Sequence, residues 1–116
     1  MEEELAKVSM TIIVNAGNAR VAIQKALDFI KAGNFEEARA LMKEANEFIR
    51  QAHISQTDVI QSEMSGEKHE PSLLFNHAQD TIMNVMSESI MAEQIISLFE
   101  VYDKKLNQLK KENEFE

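Results

Sequence analysis

The stretch IKAGNFEEA, Ile30 to Ala38, closes one helix and opens another within a few residues. Gly33 tolerates the left-handed backbone that ends many helices. Asn34 is a favoured N-cap residue. Glu37 stands three positions later, where its side chain reaches back to the cap in the manner of a capping box. So short a junction makes the two helices antiparallel neighbours. The chain holds only three glycines and one proline in 116 residues, too little punctuation for a set of hairpins.

Working outward, Val8, Ile12, Ala16, Ala19, Ile23, Ala26 and Ile30 recur at threes and fours. That spacing places them on one face of a helix from about Glu3 to Ala32. Gly17 interrupts the run at a cost of about 1 kcal/mol relative to alanine. It marks either a kink or a close approach by another helix. Downstream, Phe35, Ala38, Met42, Ala45, Ile49 and Ala52 form the buried stripe of a second helix, from Phe35 to about Met64. A polar linker, Ser65 to Glu70, follows, with His69 expected in solvent. Pro71 suits the first turn of a third helix reaching about Lys111. The acidic end, Glu112 to Glu116, is expected to fray. The fold class is all-α, an antiparallel three-helix bundle, with residues 1–116 read as one domain.

The third helix carries more apolar surface than two neighbours need. Phe75, Ala78, Ile82, Val85 and Ile96 share one sector at about 100° per residue. Met91, Ile95, Leu98, Tyr102 and Leu109 fill nearly the opposite one. A helix apolar on two sides is buried on two sides, so self-association is the economical explanation. A binding patch for a different protein is the alternative.

Composition narrows the function. Apolar residues make up 44% of the chain, ordinary for a globular protein. The net charge of −8 argues against nucleic acid as a partner, since phosphates demand a basic surface. There is no cysteine, which excludes disulfides, thiolate metal sites and a cysteine nucleophile and fits the cytoplasm. No apolar run reaches the roughly 18 residues of a membrane span, and the start, MEEELAKVSM, is unlike a signal peptide. The seven methionines read as adaptable core filler.

One polar row stands out. His77, Asp80, Asn84 and Ser87 follow one another at threes and fours, in the same sector as Met91, Ile95, Leu98 and Tyr102. The row either faces water or meets an interface, where a lone carboxylate must be paired, protonated or bound to metal. His53, in AHISQT late in helix two, could approach the start of helix three, or serve as an ordinary hydrogen-bonded residue. A zinc-protease motif, a nucleophile elbow, a phosphate-binding glycine loop and a Rossmann fingerprint are all absent. A metal-storage or hydrolytic bundle would need Glu-x-x-His pairs on separate helices, which are missing.

Three segments together carry a resemblance. IIVNAGNARVAIQKALDFIKAGNFEEARALM, EANEFIRQAHISQTDVI and LLFNHAQDTIM resemble, in order, the helices of the enzyme IIA component of the lactose/cellobiose (N,N′-diacetylchitobiose) family of the bacterial phosphotransferase system. The likeness spans about residues 8 to 105. It implies three long helices per chain and a homotrimer, a nine-helix bundle. It implies that His77 accepts a phosphoryl group from the phosphohistidine of HPr and donates it to a cysteine of enzyme IIB, which serves the membrane component enzyme IIC. It also implies that Asp80 meets its two symmetry copies at the threefold axis and binds a divalent cation, magnesium. Gln79, His53 and Gln56 are candidate positioners of the imidazole or phosphoryl oxygens. Family members often read His-x-Gln-Asp-His, whereas Thr81 stands here at the last position. That departure leaves room for a degenerate regulatory copy. A reading from another class is a non-catalytic helical oligomerisation scaffold.

Overall fold

The computed structural model describes residues 2–114. They form three helices: α1 (Glu2–Lys31), α2 (Phe35–Met64) and α3 (Leu73–Glu114). There is no strand among the described residues. The molecule measures 72 × 21 × 18 Å, a rod set by the longest helix.

Both helix junctions are built from the same device. At the end of α1, the Gly33 N–H donates to the Ile30 carbonyl at 3.0 Å and the Asn34 N–H to the Phe29 carbonyl at 2.9 Å. At the end of α2, the Gly66 N–H donates to Glu63 and the Glu67 N–H to Ser62, each at 3.1 Å. These are paired Schellman bonds, and they turn the chain through a glycine at positive φ, 76° at Gly33 and 104° at Gly66. Asn34 caps α2 as expected, its Oδ1 accepting the Glu37 N–H at 3.1 Å. The reciprocal half of the expected capping box does not form, because the Asn34 N–H is already committed to Phe29.

The start of α3 differs from the sequence expectation. Pro71 lies outside the helix, and Ser72 is the cap: its Oγ accepts the Phe75 N–H at 3.0 Å. A serine that satisfies an orphan donor begins a helix better than a proline that only lacks one. The far end also differs, since α3 runs through Lys111 to Glu114. Of the end expected to fray, Glu112 to Glu114 are therefore helical, while Phe115 and Glu116 lie outside the described residues.

The core is narrow and rich in alanine. Ala16, Ala19, Ala26, Ala38, Ala45, Ala52 and Ala78 are fully buried, interleaved with Ile12, Met42, Ile82, Val85 and Ile96. Small side chains bring the helix axes close and leave little volume for long ones. That corrects the expectation for the methionines. Met42 is buried and Met86 packs against the core, but Met10, Met64, Met83 and Met91 are exposed. Gly17 is neither a break nor a contact point within the chain. Helix α1 passes through it, and a Cβ placed there would meet nothing within 4 Å.

Polar bridges fix how the helices sit lengthwise. Arg20 on α1 grips Glu88 on α3 with two parallel bonds of 2.8 and 2.6 Å. Ser89 donates to Asn46 Oδ1 at 2.9 Å, and Asn46 Nδ2 donates to Glu93 at 3.2 Å. Arg39, near the start of α2, pairs with Glu100. That last contact sets the second turn of α2 beside Glu100, so the end of α3 runs on past the α1–α2 turn, and residues 101–114 are all exposed.

The second apolar sector of α3 is indeed left uncovered by α1 and α2. Met91, Leu98, Tyr102 and Leu109 are all more than half exposed, and only Ile95 is partly buried.

Candidate functional site

Helix α3 places His77 just over one turn past the Ser72 cap, on the outward side. The imidazole shares a shallow depression with Leu73, Leu74, Asn76 and Asp80. His77 and Asp80 are both exposed, so the row read from the sequence faces outward along the same strip as Met91 and Leu98. Leu73, 86% exposed, gives the depression an apolar rim.

Behind this strip lies the amide pair. Gln56 on α2 is buried, and its Nε2 donates to Oε1 of Gln79 on α3 at 3.3 Å. Two of the three candidate positioners are thus brought together, tying α2 to the residue two places after His77. The third is not part of this arrangement. His53 is exposed and lines neither the His77 depression nor the cavity behind it. The buried stripe of this part of α2 runs through Ala52, Gln56 and Val59, and His53 stands about 100° round the helix from Ala52, past the edge of that stripe.

A second cavity of about 190 Å³ adjoins the first. Gln79, Asn76, Phe75 and Ser72 form its α3 wall, and His69, Glu63 and Glu70 face them. Asn76 lines both spaces, and the spacing of the polar row did not single it out. His69 is not free in solvent as its linker position suggested. It is half-buried, with Nε2 at 3.1 Å from Ser62 Oγ. Ser62 donates its own hydroxyl proton to Glu67, so the ring nitrogen facing it is the donor of that bond.

Thr81 folds back on its own helix, its Oγ1 donating to the His77 carbonyl at 2.8 Å. The hydroxyl is therefore occupied one turn away from the imidazole. Glu88, one residue past the polar row, is held below its ordinary carboxylate pKa chiefly by its hydrogen bonds from Arg20, and the Arg20 guanidinium is raised in turn. Asp80 supplies the carboxylate among the described residues that line the His77 depression. Among the described residues, no group of three or more His, Cys, Asp or Glu side chains could hold a metal within one chain. No described helix is long and apolar enough to cross a membrane.

An exposed imidazole sharing its depression with a carboxylate, on a helix tied to α2 by the Gln56–Gln79 bond, can accept and release a group carried to it by another macromolecule. Known proteins resemble this chain in sequence and in fold. The lichenan-specific phosphotransferase enzyme IIA component of Bacillus subtilis is 43% identical over 100 residues, covering 86% of this chain and 91% of its own. The N,N′-diacetylchitobiose-specific EIIA component of Escherichia coli is 36% identical, covering 88% and 85%. A crystal structure of the cellobiose-specific enzyme IIA from Bacillus anthracis superposes with a TM-score of 0.81 at 41% identity, covering 85% of this chain and 91% of that one. The solution structure of an IIA(Chitobiose)–HPr complex gives 0.76 at 31% identity, covering 85% and 96%. Residues 7–100 match the family model described as PTS system, Lactose/Cellobiose specific IIA subunit, and the chain belongs to that family.

Proposed function

We propose that this chain is a cytoplasmic phosphocarrier in which His77 accepts a phosphoryl group from phospho-HPr and passes it to a cysteine of enzyme IIB, for uptake of a lactose-, cellobiose- or chitobiose-type disaccharide through enzyme IIC. The observation that carries this reading is the exposed His77, set in an apolar-rimmed depression on a chain of this family. The HPr complex of a structural neighbour supports HPr as the donor.

The chemistry balances simply. The Nε2 lone pair of a neutral His77 attacks phosphorus in line, and the P–N bond to the donor histidine breaks, with its electrons returning to that imidazole. In the second transfer a cysteine thiolate of the acceptor attacks, and the P–N bond to His77 breaks. Positioning carries most of such a reaction. Gln79, braced by Gln56, orients the imidazole or the phosphoryl oxygens from the α2 side. His53, exposed and apart, serves better as a contact for a docked partner. The apolar rim of Leu73 and Leu74 keeps water from the phosphoramidate once a partner covers it.

Three chains pair their outward α3 strips into a nine-helix homotrimer. This gathers three copies of Asp80, and three carboxylates facing one another require compensation. A divalent cation, magnesium, accepts such hard oxygen ligands and neutralises their charge. Sedimentation is expected to give three times the 13.2 kDa chain mass. Asp80→Leu is expected to abolish bound metal while keeping or strengthening the trimer, as replacement of buried ions can do. Unchanged metal content would remove Asp80 as a ligand.

Incubation with phosphoenolpyruvate, enzyme I and HPr tests the carrier reading by intact mass. The expected result is an acid-labile gain of about 80 Da, absent in His77→Ala. No gain under conditions that phosphorylate a control carrier overturns it in favour of the oligomerisation scaffold.

A further inference from the structure

A phosphoryl group on His77 brings negative charge into a depression that already holds the Asp80 carboxylate. Like charges in one shallow space disfavour the phosphorylated state unless hydrogen-bond donors meet the phosphoryl oxygens. The side chains that line the depression offer few. Those of Leu73 and Leu74 are apolar, that of Asp80 accepts once ionised, and His77 itself carries the group. Asn76 is the remaining one, and its amide holds two N–H donors with no charge of its own. Its backbone N–H is committed to the Ser72 carbonyl at 3.0 Å, so the side chain is what it has to give.

Neighbours in sequence point about 100° apart on a helix, so the Asn76 amide and the bare imidazole do not face each other. Both nevertheless line one depression. A phosphoryl group stands one bond beyond the ring nitrogen, over that shared space, where its oxygens come within reach of the amide. Asn76 also lines the cavity behind, together with Gln79, its neighbour three residues on. Gln79 Oε1 is taken by Gln56 at 3.3 Å, so what Gln79 has left for the cavity wall is a donor, Nε2. The Asn76 carbonyl is the complement of that donor, and an amide whose oxygen turns back to the cavity keeps its N–H groups for the outer space.

We propose that Asn76 Nδ2 donates a hydrogen bond to a phosphoryl oxygen on His77 and holds the phosphorylated state against the charge of Asp80. The proposal rests on the phosphocarrier reading and adds a phosphoryl-binding residue to it. Asn76 exchanges no proton and forms no covalent bond, so the bonds made and broken in the two transfers stay as given above. What it changes is the balance between them, favouring acceptance from the donor histidine and restraining release.

Equilibration of the full chain with phospho-HPr and HPr tests this, with the phosphorylated fractions read by intact mass at mildly alkaline pH. Asn76→Leu is expected to lower the equilibrium constant for transfer to His77 roughly tenfold, the loss of one hydrogen bond to a charged group. Asn76→Asp, of the same size, is expected to lower it further, because a donor becomes a second carboxylate. Asn76→Gln, which keeps the amide, is expected to restore most of the native value. Asn76 is exposed, and helical circular dichroism is expected to match the native chain in all three variants. Equal equilibrium constants for the native chain and Asn76→Leu overturn the proposal, and so does an aspartate variant no weaker than the leucine one. A native chain that takes up no phosphoryl group at all is a different failure, which overturns the carrier reading and this proposal with it.

Discussion

Gln56 shows how much one buried amide can hold in place. It sits in an interior of small apolar side chains, and its bond to Gln79 ties α2 to the segment bearing His77. Gln56→Leu conserves volume but leaves Gln79 Oε1 without its donor. The expected loss is about 1–2 kcal/mol, read as a lower urea midpoint at unchanged m-value. Ser72 acts through the backbone, and Ser72→Ala is expected to cost about 1 kcal/mol by the same measurement. The sequence marked His77, Asp80, Gln79 and Gln56 by type and spacing. It could not separate Gln56 from His53, because the two lie only about 60° apart on the helix and only packing shows where the buried stripe ends. The tie between His69 and Ser62 was equally hidden, since it depends on how the loop folds back over the end of α2.

Among the elements, α1 offers the cleanest test of local propensity. Gly17 is helical and exposed, and an added methyl would meet open space. Gly17→Ala is therefore expected to stabilise the chain by about 0.5–1 kcal/mol, seen as a higher thermal midpoint. The spans of α1 and α2 were legible because apolar periodicity and glycine punctuation agree at every turn. The start of α3 was less so, because Pro71 and Ser72 are both good starters and only hydrogen bonding shows which one serves. The methionines misled for a physical reason. Flexibility suits them to a core, but helices drawn together by alanine leave them no room, and four of them lie on the outside.

For the whole molecule, the link between Arg20 and Glu88 couples α1 to α3 and makes stability depend on acid. Glu88 is held below its ordinary pKa by Arg20, so the stabilisation is present in full above about pH 4.3 and is lost as pH falls through the lowered value. Both side chains are 40% exposed, and solvent screening keeps the effect under about 1 kcal/mol. Thermal melts from pH 7 to 3 are expected to show Arg20→Ala less stable than the native chain at neutral pH, with the gap closing below pH 4. The sequence by itself determined three helices, their antiparallel order and a third helix apolar on two sides, because those follow from local periodicity and short connections. Only the tertiary structure decided which side α1 and α2 cover, where they stop along α3, and that His77 and Asp80 share one open depression. Those outcomes depend on the closeness of alanine-lined packing and on the lengthwise setting of helices by pairs such as Arg39 and Glu100, neither of which is encoded within any single stretch of chain.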